Sequence, residues 1–122
     1  MNIALIAHDA KKKDMVEWAL HNKNFLANHR ISATGTTGNM LEKALERTDI
    51  TKYLSGPYGG DLEIGAKICN KEIDLLVFFW DPLSAQPHDV DVKALLRVSM
   101  IYNIPVACNR KTADLIITST LI

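Results

Sequence analysis

The chain is short of the features that would commit it to several large classes of protein. Its 122 residues include only two cysteines, Cys69 and Cys108, far apart and outside any CxxC pair. A disulfide framework or a zinc site is therefore not expected. Excess charge of one sign is missing too: 14 Lys and Arg balance 14 Asp and Glu. Broad binding to a nucleic-acid backbone needs clustered excess Lys and Arg, so no nucleic-acid partner is expected. Long apolar runs are absent. The runs Ile3 to Ala7 and Leu75 to Trp80 have strand length and fall far short of a membrane span. No positive segment precedes the first run, so it reads as a strand and not as a signal peptide. These absences point to a reducing, cytoplasmic setting with no membrane partner. No internal repeat, low-complexity stretch or linker interrupts the chain.

What is present is enough apolar material, 48% of residues, to fill one core in a single domain spanning 1–122. A net charge of zero also removes long-range self-repulsion, which favours self-association. The patterning alternates between two periods. Residues 3–7 form a continuous apolar run, as in a strand buried on both faces. From Lys11 to about Asn28, Met15, Trp18, Ala19, Phe25 and Leu26 recur at helical spacing. A strand fits Arg30 to Ala33, and Thr34 to Gly38 reads as a turn into a helix carrying Met40, Leu41, Ala44 and Leu45. A short extended piece fits Lys52 to Leu54, followed by the breakers Ser55 to Gly60. Asp61 opens a helix to about Glu72. Leu75 to Trp80 is the clearest strand, Asp81 to His88 a loop, and Asp89 to Tyr102 a helix with Val92, Leu95, Leu96 and Ser99 inward. Ile104 to Cys108 is a last strand and Thr112 to Ile117 a last helix. Strands alternating with helices imply an α/β domain with a mostly parallel sheet covered on both faces.

In such sheets ligands bind beyond the carboxyl ends of the strands. The segments to inspect are His8 to Lys12, Thr34 to Gly38, Ser55 to Asp61, Asp81 to Asp91, and Asn109. TGTTG at 34–38 combines glycines that let the backbone approach a ligand with threonine donors and a helix start, which suits a phosphate. The same segment would equally serve as a cap and tight turn. It lacks the Walker lysine and the full dinucleotide glycine pattern, so a nucleotide is not implied. In Ser55-Gly56-Pro57-Tyr58-Gly59-Gly60-Asp61, two glycines directly before an acid would let Asp61 face a substrate. The plainer alternative is an N-cap aspartate.

The stretch from Trp80 to Asp91 holds three acids and His88, framed by prolines that restrict the backbone. His88 and Asp91 offer a metal only two ligands, and no second cluster completes a site. A helix-start residue is the bland account of His88. His8, Asp9 and Lys11 to Lys13 follow the first strand, where a lysine could neutralise a phosphate. A solvated helix start accounts for at least two of these lysines. His21 and His29 receive no role, and Cys108 reads as core. Anion donors, a lone carboxylate and a histidine thus share one end of the sheet. The fitting chemistry is proton abstraction beside a carbonyl in a phosphorylated substrate.

His8-Asp9-x-Lys11-Lys12, Thr34-Gly35-Thr36-Thr37-Gly38, Ser55-Gly56-Pro57-x-Gly59-Gly60-Asp61, and Phe79-Trp80-Asp81-Pro82-Leu83 with Gln86-Pro87-His88-Asp89-x-Asp91-Val92-Lys93-Ala94-Leu95-Leu96-Arg97 resemble the methylglyoxal synthase family. Asn103-Ile104-Pro105 and Thr112-Ala113-Asp114 agree as well, so the likeness runs through nearly the whole chain. The resemblance implies conversion of dihydroxyacetone phosphate to methylglyoxal and inorganic phosphate, with no metal and no organic cofactor. It implies a Rossmann-like three-layer α/β/α fold with a mostly parallel five-stranded sheet, and usually a homohexamer. Carried over by motif, Asp61 is the base and His88 a neutral proton shuttle. His8, Lys12, Thr34, Gly35, Thr36, Thr37, Ser55 and Gly56 bind substrate and phosphate, and Asp81 and Asp91 are further acids of the site. Longer family members continue past the position of Ile122 with a tail arginine that reaches a phosphate. Without it, phosphate binding would rest on the other groups. Two alternatives share the features: a non-catalytic effector-binding module of the same fold, which would not need Asp61 or His88, and a phosphosugar isomerase, which shares the intermediate but not the product.

Overall fold

The computed structural model describes residues 1–83 and 92–119. Five parallel strands form one sheet in the order β3-β2-β1-β4-β5. They are β1 (Asn2–Ala7), β2 (Arg30–Thr34), β3 (Thr51–Tyr53), β4 (Leu75–Phe79) and β5 (Val106–Ala107). The helices are α1 (Lys12–His21), α2 (Lys23–Leu26), α3 (Gly35–Leu45), α4 (Gly60–Cys69), α5 (Val92–Ile101) and α6 (Arg110–Ile117). The α/β architecture expected from the alternating pattern is the one observed.

The two central strands explain the two unbroken apolar runs. β1 lies between β2 and β4, and helices cover both faces of the sheet, so Ile3 to Ala7 and Leu75 to Phe79 are all buried. Alternation then sends successive side chains to opposite layers. Ile3, Leu5, Val77 and Phe79 pack with Met15, Trp18, Leu41, Leu45 and Ala113 from α1, α3 and α6. Ala4, Ile6, Leu76 and Phe78 pack with Ile64, Ile68 and Leu95 from α4 and α5. From β1 the chain runs outward through β2 to β3, then crosses back to β4 on the other side of β1. The direction reverses between β1 and β4, which is where an open α/β sheet forms its ligand crevice.

Some boundaries differ from the periodicity, each for a local reason. The helix expected over Lys11 to Asn28 breaks at Asn22, whose main-chain and side-chain amides both donate to the Trp18 carbonyl. Thr34 to Gly38 is not a turn ahead of a helix: Thr34 is the extended N-cap residue, and α3 begins at Gly35. Asp61 is not an N-cap. Gly59, with φ of 100°, takes that place, and Asp61 is the second residue of α4. Strand β5 is confined to Val106–Ala107, and α6 starts at Arg110, where the Asn109 side chain accepts from Thr112 N at 2.9 Å.

Candidate active site

Parallel strands deliver their following loops to a single edge. Ala7 stands opposite Phe79, so His8 and Trp80 leave the sheet side by side at the reversal point. Leu5 stands opposite Ala33, and Thr34 opposite Tyr53, which brings Thr34 and the Ser55 loop to the same edge.

Close backbone approaches then draw the loops together. A Cβ on Gly60 would lie 1.8 Å from the Leu54 carbonyl oxygen and 3.1 Å from the Thr34 methyl group. A Cβ on Gly35 would lie 2.6 Å from Ser55 Oγ. Glycine at these two positions therefore lets the starts of α3 and α4 press against the β3 exit. Glu63, one turn into α4, holds that exit by accepting from Leu54 N at 2.9 Å. The segment expected to bind phosphate and the segment carrying Asp61 are packed neighbours.

Neither α3 nor α4 has a side-chain cap on its N-terminus. The first N–H of α4, on Gly60, donates to the Ser55 carbonyl at 3.2 Å, and the remaining first-turn N–H groups favour an anion at this edge. Thr37, in the first turn of α3, is fully buried, and among the described residues its Oγ1 has no hydrogen-bond partner. A buried hydroxyl in that condition costs about 1–3 kcal/mol until a ligand or water meets it. Thr34 is also buried, Gly35 half-buried and Thr36 exposed.

Lys12, the first residue of α1, donates to Asp9 Oδ1. That hydrogen bond, reinforced by the lysine charge, holds the Asp9 carboxyl below its ordinary value. Lys12 Nζ is thus positioned by an acid that is itself almost wholly in solvent. His8 is buried and receives the Asp81 main-chain N–H on Nδ1 at 3.0 Å. The Asp81 carboxylate turns back on its own loop and accepts from Leu83 N at 3.0 Å. Asp61, Ser55 and Gly56 are half-buried on the same edge.

His88 and Asp91 lie outside the described residues. Among the described residues, no group of three or more His, Cys, Asp or Glu side chains is arranged to hold a metal, and no helix is long and apolar enough to cross a membrane. A cavity of about 390 Å³ opens farther along the edge, between Lys11, Trp80, Pro82, Cys108, Asn109 and Arg110, and among the described residues none of the expected catalytic or phosphate-binding side chains lines it. Burial pushes the Cys108 thiol up from its ordinary value, but the residue is half-buried and lines this cavity past the end of β5, at the margin of the core and not within it.

Sequence reasoning missed two contributors. Glu63 locks the β3 exit, and Asp114 accepts from the buried Trp18 Nε1 at 2.9 Å, tying α6 to α1. The only signal for Asp114 is its place in the Thr112-Ala113-Asp114 motif. Glu63 carries none beyond being an acid in a first turn.

Fold and edge together define an open parallel α/β domain that brings two helix N-termini without side-chain caps, a lysine and carboxylates to one edge. Comparison with known proteins narrows this class. The MGS-like domain family matches residues 14–108. The methylglyoxal synthase of Coxiella burnetii (strain RSA 493 / Nine Mile phase I) is 59% identical over 119 residues, covering 98% of this chain and 82% of that protein. The methylglyoxal synthase of Yersinia pestis (strain Pestoides F) is 57% identical over 120 residues, covering 98% of this chain and 77% of its own length. The crystal structure of methylglyoxal synthase from Elizabethkingia anophelis NUHP1 superposes with a TM-score of 0.94 at 46% identity, covering 98% of this chain and 78% of that one. The chain belongs to the MGS-like domain family.

Proposed function

We propose that this protein is a methylglyoxal synthase, a carbon–oxygen lyase that converts dihydroxyacetone phosphate to methylglyoxal and inorganic phosphate. The observation that carries the substrate class is the paired, uncapped N-termini of α3 and α4 with the buried Thr37 hydroxyl beside them. This is a phosphate cradle with a carboxylate in its second wall. The relatives' shared name carries the choice of reaction.

Asp61 removes a proton from the carbon bearing the free hydroxyl, giving an enediolate. His88 donates to the developing oxyanion and moves protons between the two oxygens. Asp81 and Asp91 are further acids of the site. His8, Lys12, Thr34, Gly35, Thr36, Thr37, Ser55 and Gly56 hold the substrate and its phosphate. Elimination requires the carbon–oxygen bond to the phosphate to stand out of the enediolate plane, where it overlaps the π system. Thr34 to Thr37 would hold the phosphate in that orientation, whereas an isomerase would hold it in plane and return a proton. The domain spans 1–122 and assembles as a homohexamer in the cytoplasm, by analogy with the family. An effector-binding module would have no use for the Asp61 carboxylate.

The deciding experiment is incubation with dihydroxyacetone phosphate, with methylglyoxal and phosphate measured together and a chelator in a parallel sample. Equal release of both products, indifferent to chelator, is expected. Glyceraldehyde 3-phosphate as the main product would replace the synthase with an isomerase.

A further inference from the structure

One ring in the candidate site has its hydrogen-bonding polarity set by the main chain. The Asp81 N–H points at His8 Nδ1 across 3.0 Å. A backbone amide only donates, and the peptide plane fixes its direction. Nδ1 must therefore accept, which needs its lone pair and leaves the ring's one N–H on Nε2. The ring has little freedom to escape this bond. The His8 main-chain N–H donates to the Phe79 carbonyl at 3.1 Å, and the Phe78 ring meets the imidazole edge-on at a centroid distance of 5.4 Å.

The common histidine–carboxylate pair has the opposite sign. There a carboxylate accepts from Nδ1–H, and Nε2 keeps the lone pair of a base. Residue 81 carries a carboxylate that could have played that part, but its Oδ1 is engaged by Leu83 N at 3.0 Å. The residue offers His8 its amide instead.

We propose that the Asp81 main-chain amide fixes His8 in the Nε2–H tautomer, so that His8 serves the substrate as a hydrogen-bond donor and not as a base. The substrate half of this statement rests on the methylglyoxal synthase reading, while the tautomer half stands on geometry alone. A donor suits a substrate that is anionic at its phosphate and becomes anionic at its enediolate oxygens, since a lone pair would repel both. It also leaves proton abstraction to Asp61.

The test is the long-range ¹H–¹⁵N correlation spectrum of the whole labelled protein, with His8 assigned by its loss in His8→Gln. Nδ1 should resonate as an unprotonated nitrogen and Nε2 as a protonated one. Asp81→Asn should keep that pattern, because the amide remains. A proton on Nδ1 in the wild type would overturn the proposal, and so would a tautomer switch in Asp81→Asn, which would move control to the carboxylate. Turnover supplies the second readout. Gln can place an NH₂ near the position of Nε2, whereas Asn can replace only the Nδ1 acceptor. His8→Asn should lose about ten- to a hundred-fold more kcat/KM than His8→Gln. Equal losses would overturn the donor role. A wild-type chain that makes no methylglyoxal yet shows the Nε2–H tautomer would overturn the substrate half and uphold the tautomer half.

Discussion

The two edges of the sheet are built to opposite rules. At the amino edge, polar groups find partners. Asn2 N donates to Asp74 Oδ2 at 2.8 Å, Asn2 Nδ2 to the Glu72 carbonyl at 2.9 Å, and Asp74 N to the Asn2 carbonyl at 2.8 Å. On the same side, Arg47 donates to the Leu26 and His29 carbonyls at 2.8 and 3.0 Å while Asp49 holds its guanidinium from the other side. That pairing lifts the Arg47 pKa above its ordinary value and lowers the Asp49 carboxyl. At the carboxyl edge, α3 and α4 start without side-chain caps and Thr37 has a buried hydroxyl with no partner among the described residues. By contrast α6, whose start lies off the candidate site, is capped by Asn109. Helix starts without side-chain caps at one edge suit an anionic ligand, and met groups at the other hold the chain together.

This contrast breaks most sharply at Asp61. Asn is nearly isosteric but cannot take up a proton as a carboxylate does, so Asp61→Asn should fold normally and keep its phosphate affinity. Its steady-state turnover should fall about 10²–10⁴-fold, the usual worth of a general base. A near-wild-type rate would remove Asp61 as the base. Gly60→Ala tests whether the close approach of α4 to Leu54 shapes the site. The new Cβ has no room beside the Leu54 carbonyl, so the α4 start must move. Overpacking of this kind costs about 1–3 kcal/mol. Denaturant midpoints and phosphate titrations should both shift, and an unchanged pair would show that the loop yields freely.

Arg47→Ala and Thr37→Val should move stability and binding in opposite ways. Arg47→Ala strips partners from two carbonyls and should lose about 1–3 kcal/mol of unfolding free energy with phosphate affinity unchanged. Thr37→Val removes a buried hydroxyl that has no partner, so stability should hold or rise. Its phosphate affinity should weaken by about 1.5–3 kcal/mol, the worth of a hydrogen bond to a charged group. Calorimetry on both variants checks the pair, and a stability loss in Thr37→Val would mean that the hydroxyl is structural.

The smallest effect belongs to Asp9. Its folded pKa lies below the ordinary 3.8 because of the Lys12 hydrogen bond, then the Lys12 charge. The stabilisation is therefore present above 3.8 and is lost as pH falls through the depressed folded value. Asp9 is nearly all in solvent, so Asp9→Asn should cost less than about 1 kcal/mol near neutrality and converge with wild type in acid. Melting curves across pH would reveal it, and a constant gap would contradict the pairing.

The sequence by itself determined the strand order of types, the layered class and the edge at which chemistry gathers. Those follow from period: a run such as Leu75 to Phe79 can be buried on both faces only in the middle of a sheet, and parallel crossovers send every loop to one end. It also carried, through its motifs, the candidate residues His8, Lys12, Thr34 to Thr37, Ser55, Gly56, Asp61 and Asp81. Tertiary structure alone decided how they meet. That α3 begins at Gly35, that Gly59 and not Asp61 stands at the head of α4, and that Gly60 presses on Leu54 depend on backbone approaches between segments distant in sequence. The polarity of His8 is the clearest case. The composition of the site places a histidine and an aspartate together, but whether the aspartate shows the ring its carboxylate or its amide depends on how the chain turns after β4. A hydrogen bond is directional, and direction is a property of the folded backbone.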